Sequence, residues 1–222
     1  DNNHIIDLCS SDEAYRCQSV KYVNAALTKA KLLADQFDQD RDIPFICNIG
    51  GMSADGFLVD SDVRERVDKL LISMSELDLD GVNFLPQTMP PFPWHFGGQA
   101  FHNLFVDARS IVELCDALGC AVCLDVSHSY LAAMHTQVKF ADFVNAIKSK
   151  VQYLHVADAA PPNAEGLMIG DGDVDFKALK EIFGDAFKSI PFIPEVWQGH
   201  VAGGAKFWKS FNILEKQWVG DF

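Results

Sequence analysis

Three short segments carry side chains able to hold a cation or move a proton. CLDVSH at 123–128 brings Asp125 and His128, LHVADA at 154–159 brings His155 and Asp158, and PEVW at 194–197 brings Glu195. Mixed carboxylate and imidazole donors with open positions suit a divalent ion acting as a Lewis acid. Glu and His are also common carriers of protons in catalysis. Alone, His128 or His155 reads as a core histidine with its hydrogen bonds satisfied. Their shared setting changes that reading. Each segment follows an apolar run and stands at a strand's carboxyl end, where parallel α/β proteins assemble sites from several strands.

The elements that must position these groups follow from periodicity. Val151, Tyr153, Leu154 and Val156 form a compact apolar run, as expected of a buried strand. The runs at 4–9, 43–49, 81–85, 120–126 and 192–196 predict further strands. Between them lie helices. Val20, Val23, Leu27, Ala30, Ala34 and Phe37 make one stripe, capped by Ser11 or Asp12, and Val63, Val67, Leu70, Leu71 and Met74 make a second, capped within 60–62. Later helices are predicted from Asp107 to Leu118, around 129–135 and 138–148, over 175–183, and over about 204–217. Six β-α units in succession predict a parallel α/β sheet. No glycine-rich phosphate fingerprint follows the first strand, and acids or histidines end several strands, so a TIM-type barrel is favoured over a doubly wound sheet.

The loop PQTMPPFPWHFGGQAFHNLF from Pro86 is rich in proline and aromatic residues, as in a rigid lid. Trp94 in this loop and Trp197 beyond the last strand offer aromatic faces to a sugar ring. His95, His102, Gln99 and Asn103 can bond hydroxyls, and Gln87 can offer an amide oxygen. Packing of the same aromatics on the barrel rim is an equal alternative. Arg16, in the first turn of the first helix, reads as a substrate ligand or as a solvated helix start.

The chain of 222 residues has a formal net charge of −13, and its 18 Lys and Arg form no cluster, which argues against a nucleic-acid partner. No apolar run reaches the length of a membrane span, and no signal peptide is apparent, so a cytoplasmic protein without a membrane partner is expected. Cys120 and Cys123 match C-x-x-C, but within an apolar strand their side chains face opposite ways, as in reduced structural thiols.

Together CLDVSH, LHVADA with GDGDVDF at 170–176, and PEVW resemble the xylose isomerase-like TIM-barrel superfamily of sugar (phosphate) isomerases and epimerases, which includes endonuclease IV. The order fits that family's last three strands, and the resemblance spans residues 1–222 as one domain. The loop from Pro86 also resembles a variant of this domain found with sialic-acid-synthase-type enzymes of nonulosonate pathways. The resemblance implies a divalent metal (Mn²⁺, Mg²⁺, Co²⁺ or Zn²⁺) held by Asp125, His155 and Glu195. It implies that His128 holds substrate or metal, with Asp158 supporting the loop that contains Glu165.

Two departures from the family's pattern stand out. Where the family carries a proton-transferring Glu at its fifth strand's end, this sequence reads Phe84-Leu85-Pro86-Gln87. Six strands also leave two of the family's eight to be supplied elsewhere, in a longer polypeptide or by another chain such as a homo-oligomer partner. The expected function is metal-dependent isomerisation or epimerisation of a sugar, with Glu195 as base and His128, His95 or His102 supplying the second proton. The alternative is an auxiliary sugar-binding domain of a larger nonulosonate enzyme. Nuclease activity is disfavoured by the acidic charge and by the lack of an Asp-Arg-His cluster in the seventh-strand loop.

Overall fold

The computed structural model describes residues 4–37, 42–95 and 98–218, with the side chain of His95 outside the described part. From the N-terminus, helix α1 (Glu13–Ala34) leads to β1 (Ile43–Cys47), β2 (Met52–Ser53) and α2 (Asp60–Ser75). Strand β3 (Val82–Pro86) opens the proline-rich loop, which contains β4 (Trp94–His95), β5 (Gly98–Gln99) and β6 (Phe101–His102). Then come α3 (Ala108–Leu118), β7 (Val122–Asp125), α4 (Val126–His135), α5 (Phe140–Ile147) and β8 (Val151–Val156). The chain finishes with β9 (Asp158–Ala160), β10 (Ala164–Leu167), α6 (Phe176–Phe183), β11 (Phe192–Pro194) and α7 (Val201–Trp218).

The parallel strands run in the order β1, β3, β7, β8, β11. β1 pairs with β3, a single bridge from Gln87 to Cys123 joins β3 to β7, and β8 pairs with both β7 and β11. Among the described residues the barrel is not closed. Burial on both faces explains the continuous apolar runs: all four residues of β7 are buried. Leu124 and Leu154 sit side by side in register, and Ile111, Phe143, Ile147 and Leu179 from the covering helices belong to the same core. Each such side chain contributes about 1.5–3 kcal/mol through burial.

Several boundaries differ from the sequence expectation. Residues 4–7 join no strand and Leu8 and Cys9 form a turn; Leu8 donates to Ile49 O at 2.9 Å, which sets the segment beside the end of β1. Only Val20, Val23 and Leu27 of the expected α1 stripe are buried, Ala30 and Ala34 are half-buried, and Phe37, beyond the helix end, is exposed. Asp12 caps α1 as expected, whereas Asp60 lies inside α2, whose cap position is Val59. Left-handed backbone at Ala202, Gly203 and Gly204 separates the first residue of α7 from its regular part. No helix among the described residues is long and apolar enough to cross a membrane.

Candidate metal and proton-transfer site

Three strand ends converge as the motifs require. Asp125 closes β7, His155 is the fifth residue of β8, and Glu195 follows β11 directly. One donor atom from each lies within 4.8 Å of the others. The register explains the meeting: Asp125 is the partner of His155 in the β7–β8 ladder, and Glu195 N–H donates to Val156 O at 3.0 Å.

Asp125 is buried and also serves as the N-cap of α4. Its Oδ1 accepts from His128 N at 2.9 Å and Ser127 Oγ at 3.0 Å, and its Oδ2 accepts from Gln87 Nε2 at 2.8 Å. Helix α4 therefore starts at Val126, earlier than its sequence suggests, and puts His128 in its first turn. Thr88 locks this corner: its Oγ1 accepts from Asp125 N at 2.9 Å and lies 2.8 Å from Ser129 Oγ.

His155 Nδ1 lies 2.5 Å from Glu195 Oε2 yet has no aligned hydrogen-bond partner, although it is buried. Two donor atoms held this close, off the ring N–H direction, fit ligands of one cation. With Asp125 they give one imidazole and two carboxylates, a set suited to a divalent ion. Burial pulls the His155 pKa down, but the Glu195 and Asp125 carboxylates outweigh it and the net shift is upward. Burial likewise pushes Glu195 up, and His155, with His128 and Gln87, outweighs it so that the net shift is downward.

A hairpin lies beside the cluster. Glu165, on β10, places Oε2 at 3.5 Å from His128 Nε2, and burial, as the largest cause, pushes its carboxyl pKa up. The next residue, Gly166, accepts from Trp197 N at 2.6 Å. Asp158 fastens the loop that follows: its buried carboxylate accepts from the backbone N–H groups of Ala159, Gly170, Gly172 and Val174 at 2.9–3.0 Å. Only glycine fits at 172, since a Cβ there would stand 2.4 Å from Ala159 O.

The other candidate residues divide. Gln87 joins the cluster, its Nε2 also standing 3.5 Å from Glu195 Oε2. Trp94 and Trp197 are 57% and 73% exposed. His102, itself part of the proline-rich loop, is buried and offers no surface to a solute. The His95 side chain lies outside the described residues. Arg16 is a correction: it is neither a solvated helix start nor available to a substrate. It is buried, bonded to Glu76 at 2.9 and 3.1 Å, to Glu13 at 2.7 and 3.1 Å and to Ser73 at 2.8 Å, and it ties α1 to α2. Burying a guanidinium requires such pairing. The aromatics of the loop divide too, because Phe92 and Phe101 pack with Phe57 and His135, as in the rim reading. Cys123 is buried, and Cys120 is hydrogen-bonded to Cys115 rather than to its C-x-x-C partner.

The place of Glu165 beside His128 was missed by sequence reasoning. The residue follows no strand of the sheet, and the available signal was a lone acid among glycines and apolar residues in a loop placed next to the site.

Residues 2–216 match the family described as the Xylose isomerase-like TIM barrel, and the chain belongs to that family. No curated protein matches it. Among solved structures it is similar to a D-tagatose 3-epimerase-like protein, with 18% identity, a TM-score of 0.69, and 96% of this chain and 73% of that one covered. It is also similar to a D-psicose 3-epimerase determined in the presence of D-fructose, with 13% identity, a TM-score of 0.67, and 98% and 76% covered. A third, the probable 3-DHS dehydratase involved in petrobactin synthesis from Bacillus anthracis, gives 14% identity, a TM-score of 0.61, and 95% and 73% covered. These likenesses establish the fold.

Proposed function

We propose that the protein is a metal-assisted isomerase or epimerase of a sugar or sugar derivative. The observation that carries this reading is the convergence of Asp125, His155 and Glu195 from three strand ends, with a buried imidazole nitrogen lacking an aligned partner. The 3-epimerases among its structural neighbours support the substrate class.

A divalent cation (Mn²⁺, Mg²⁺, Co²⁺ or Zn²⁺) held by these three residues would polarise a carbonyl and its neighbouring hydroxyl. The remaining work falls to the chain's own groups. Glu195, held ionised by its surroundings, takes the proton alpha to the carbonyl. His128, at the edge of the cluster, supplies the returning proton. Gln87 donates to the two carboxylates and keeps them in place. Trp94 and Trp197 offer exposed faces for the apolar side of the ring. His102, closed off from solutes, takes no part in this step.

A second reading, an auxiliary sugar-binding domain, draws support from Leu85, which stands in place of the resembled family's acid and can neither ligate a cation nor carry a proton. One experiment separates the two. Mn²⁺-loaded protein is incubated with D-tagatose, D-fructose or D-psicose in deuterated water. An isomerase exchanges deuterium into the carbon next to the carbonyl, and Glu195→Gln lowers that rate by about 100-fold or more. Sugar binding without exchange would overturn the enzymatic reading in favour of the auxiliary domain.

A further inference from the structure

A second set of reactive groups lies at the amino end of β7, where α3 turns into the strand. Gly119, with φ +64, ends α3, and Cys120 N–H donates to Cys115 O at 3.1 Å across it. A helix end closed in this way folds the residue after the glycine back over the last helical turn. Here the two residues that meet are cysteines, and their thiols are hydrogen-bonded to each other. Two aliphatic side chains would close the turn as well, so the helix end by itself does not call for sulfur.

The two thiols are unequal. Both line a cleft of about 480 Å³ that also contains Asn83, Asp116, Lys150 and Gln152, but Cys115 is buried whereas Cys120 is half-buried. Lys150 is paired with Asp116, and its ammonium stands near both sulfurs. The hydrogen bond from Cys115, with Lys150 adding to it, holds the Cys120 thiol below its ordinary pKa in spite of burial. The same bond, together with burial, pushes Cys115 up. Burial alone dominates at Cys9 and Cys47, whose thiols are pushed up and have no second cysteine beside them. A solvent-accessible sulfur next to a cation, with a second thiol in reach, is the arrangement of a redox-active pair.

We propose that Cys115 and Cys120 form a peroxide-sensitive pair that closes into a reversible disulfide. The Cys120 sulfur, its proton given up to solvent, attacks one oxygen of hydrogen peroxide. The O–O bond breaks, the departing hydroxide takes up that proton as water, and Cys120 becomes a sulfenic acid. The Cys115 sulfur then attacks the Cys120 sulfur, the S–O bond breaks, and the second hydroxide leaves with the Cys115 proton as water. Two thiols thus lose two electrons, one peroxide becomes two waters, and a dithiol reductant restores the pair by exchange. The pair sits at the opposite end of β7 from Asp125, apart from the cation ligands.

The test treats the reduced full chain with hydrogen peroxide, then unfolds it in iodoacetamide and digests it with trypsin for mass spectrometry. Cys115, Cys120 and Cys123 fall together in the peptide 110–139. The expected product is that peptide two hydrogens lighter and alkylated at Cys123 alone, a change that dithiothreitol reverses. In Cys115→Ser the second sulfur is gone, so dimedone captures the sulfenic acid on Cys120, which it does not do in the wild type. Lys150→Met slows the oxidation several-fold. Alkylation of all three cysteines after peroxide overturns the proposal. So does a disulfide between Cys120 and Cys123, and so does a sulfenic acid that persists on Cys120 in the wild type. Should Cys115→Ser fail to fold, the wild-type peptide alone decides.

Discussion

Gln87 Nε2 donates to Asp125 Oδ2 at 2.8 Å, so the fourth side chain of the cluster is a neutral donor tied to an anionic one. The amide also reaches toward Glu195 at 3.5 Å, and it relieves the repulsion between two neighbouring carboxylates. Replacing it with an acid has opposite consequences for two states of the protein. In Gln87→Glu the metal-free form loses a donor and gains a third negative charge, so its melting temperature falls by several degrees. The added carboxylate strengthens Mn²⁺ binding by about tenfold or more, on the order of 1.4 kcal/mol. Calorimetric titration and thermal melts with and without Mn²⁺ check both signs. A variant that melts higher without metal would show that Gln87 does not play this part.

Asp158 carries the next prediction, because four backbone N–H groups end on one buried carboxylate. Asp158→Ala leaves these donors to water or to nothing, at a cost of about 3 kcal/mol. Gly172→Ala attacks the same loop by a different route, since its Cβ would meet Ala159 O at 2.4 Å while every donor and acceptor remains. Both variants should be cut by protease within residues 161–174 at protein concentrations where the wild type is intact. Denaturant melts should place Asp158→Ala below the wild type by the stated amount. Resistance of Gly172→Ala to cleavage would count against a tightly closed loop.

The sheet and the convergence of Asp125, His155 and Glu195 at its strand ends were legible because both rest on local pattern. Apolar runs such as Val151–Val156 declare buried strands, and polar side chains at their ends declare a mouth. Arg16 was misread because its partners Glu76 and Ser73 lie 60 and 57 residues away on another helix, a pairing that no local spacing reveals. The strand expected at 4–9 had the right composition, but a ladder needs a neighbour in register, and Leu8 bonds Ile49 just beyond β1 instead. Asp125 acting as a helix cap was readable in principle, since Asp is among the residues favoured at N-caps. The apolar run around it masked the change from strand to helix. Glu165 was invisible for a tertiary reason: its importance comes from a hairpin folding onto His128.

Glu165 also makes a prediction about stability that is independent of turnover. Its folded pKa is raised by burial, so the folded chain holds a proton that the unfolded chain releases above about pH 4.3. Stability therefore declines as pH rises from that value through the folded pKa. Gln cannot titrate. Glu165→Gln should melt at the wild-type temperature near pH 4 and a few degrees above it at pH 7. A variant less stable than wild type at pH 7 would mean that the carboxylate is better satisfied in the folded protein than its geometry indicates.

Protons and metal should compete for His155. The folded pKa of His155 is raised above about 6.5, and that of Glu195 is lowered. In the metal-free protein the His155 contribution to stability is present below about pH 6.5 and fades as pH climbs through the folded value. The Glu195 contribution is present above about pH 4.3 and fades as pH falls through its own lowered value. A cation needs the imidazole neutral, so binding below the folded pKa of His155 must expel its proton. Mn²⁺ affinity should then rise by close to tenfold per pH unit near pH 6 and level off at higher pH. Titrations in buffers of different ionisation enthalpy should count about one proton released at pH 6 and fewer at pH 8. In His155→Ala both the pH slope and the proton release should disappear along with most of the affinity. A slope that persisted in this variant would assign the competing proton to another group of the cluster.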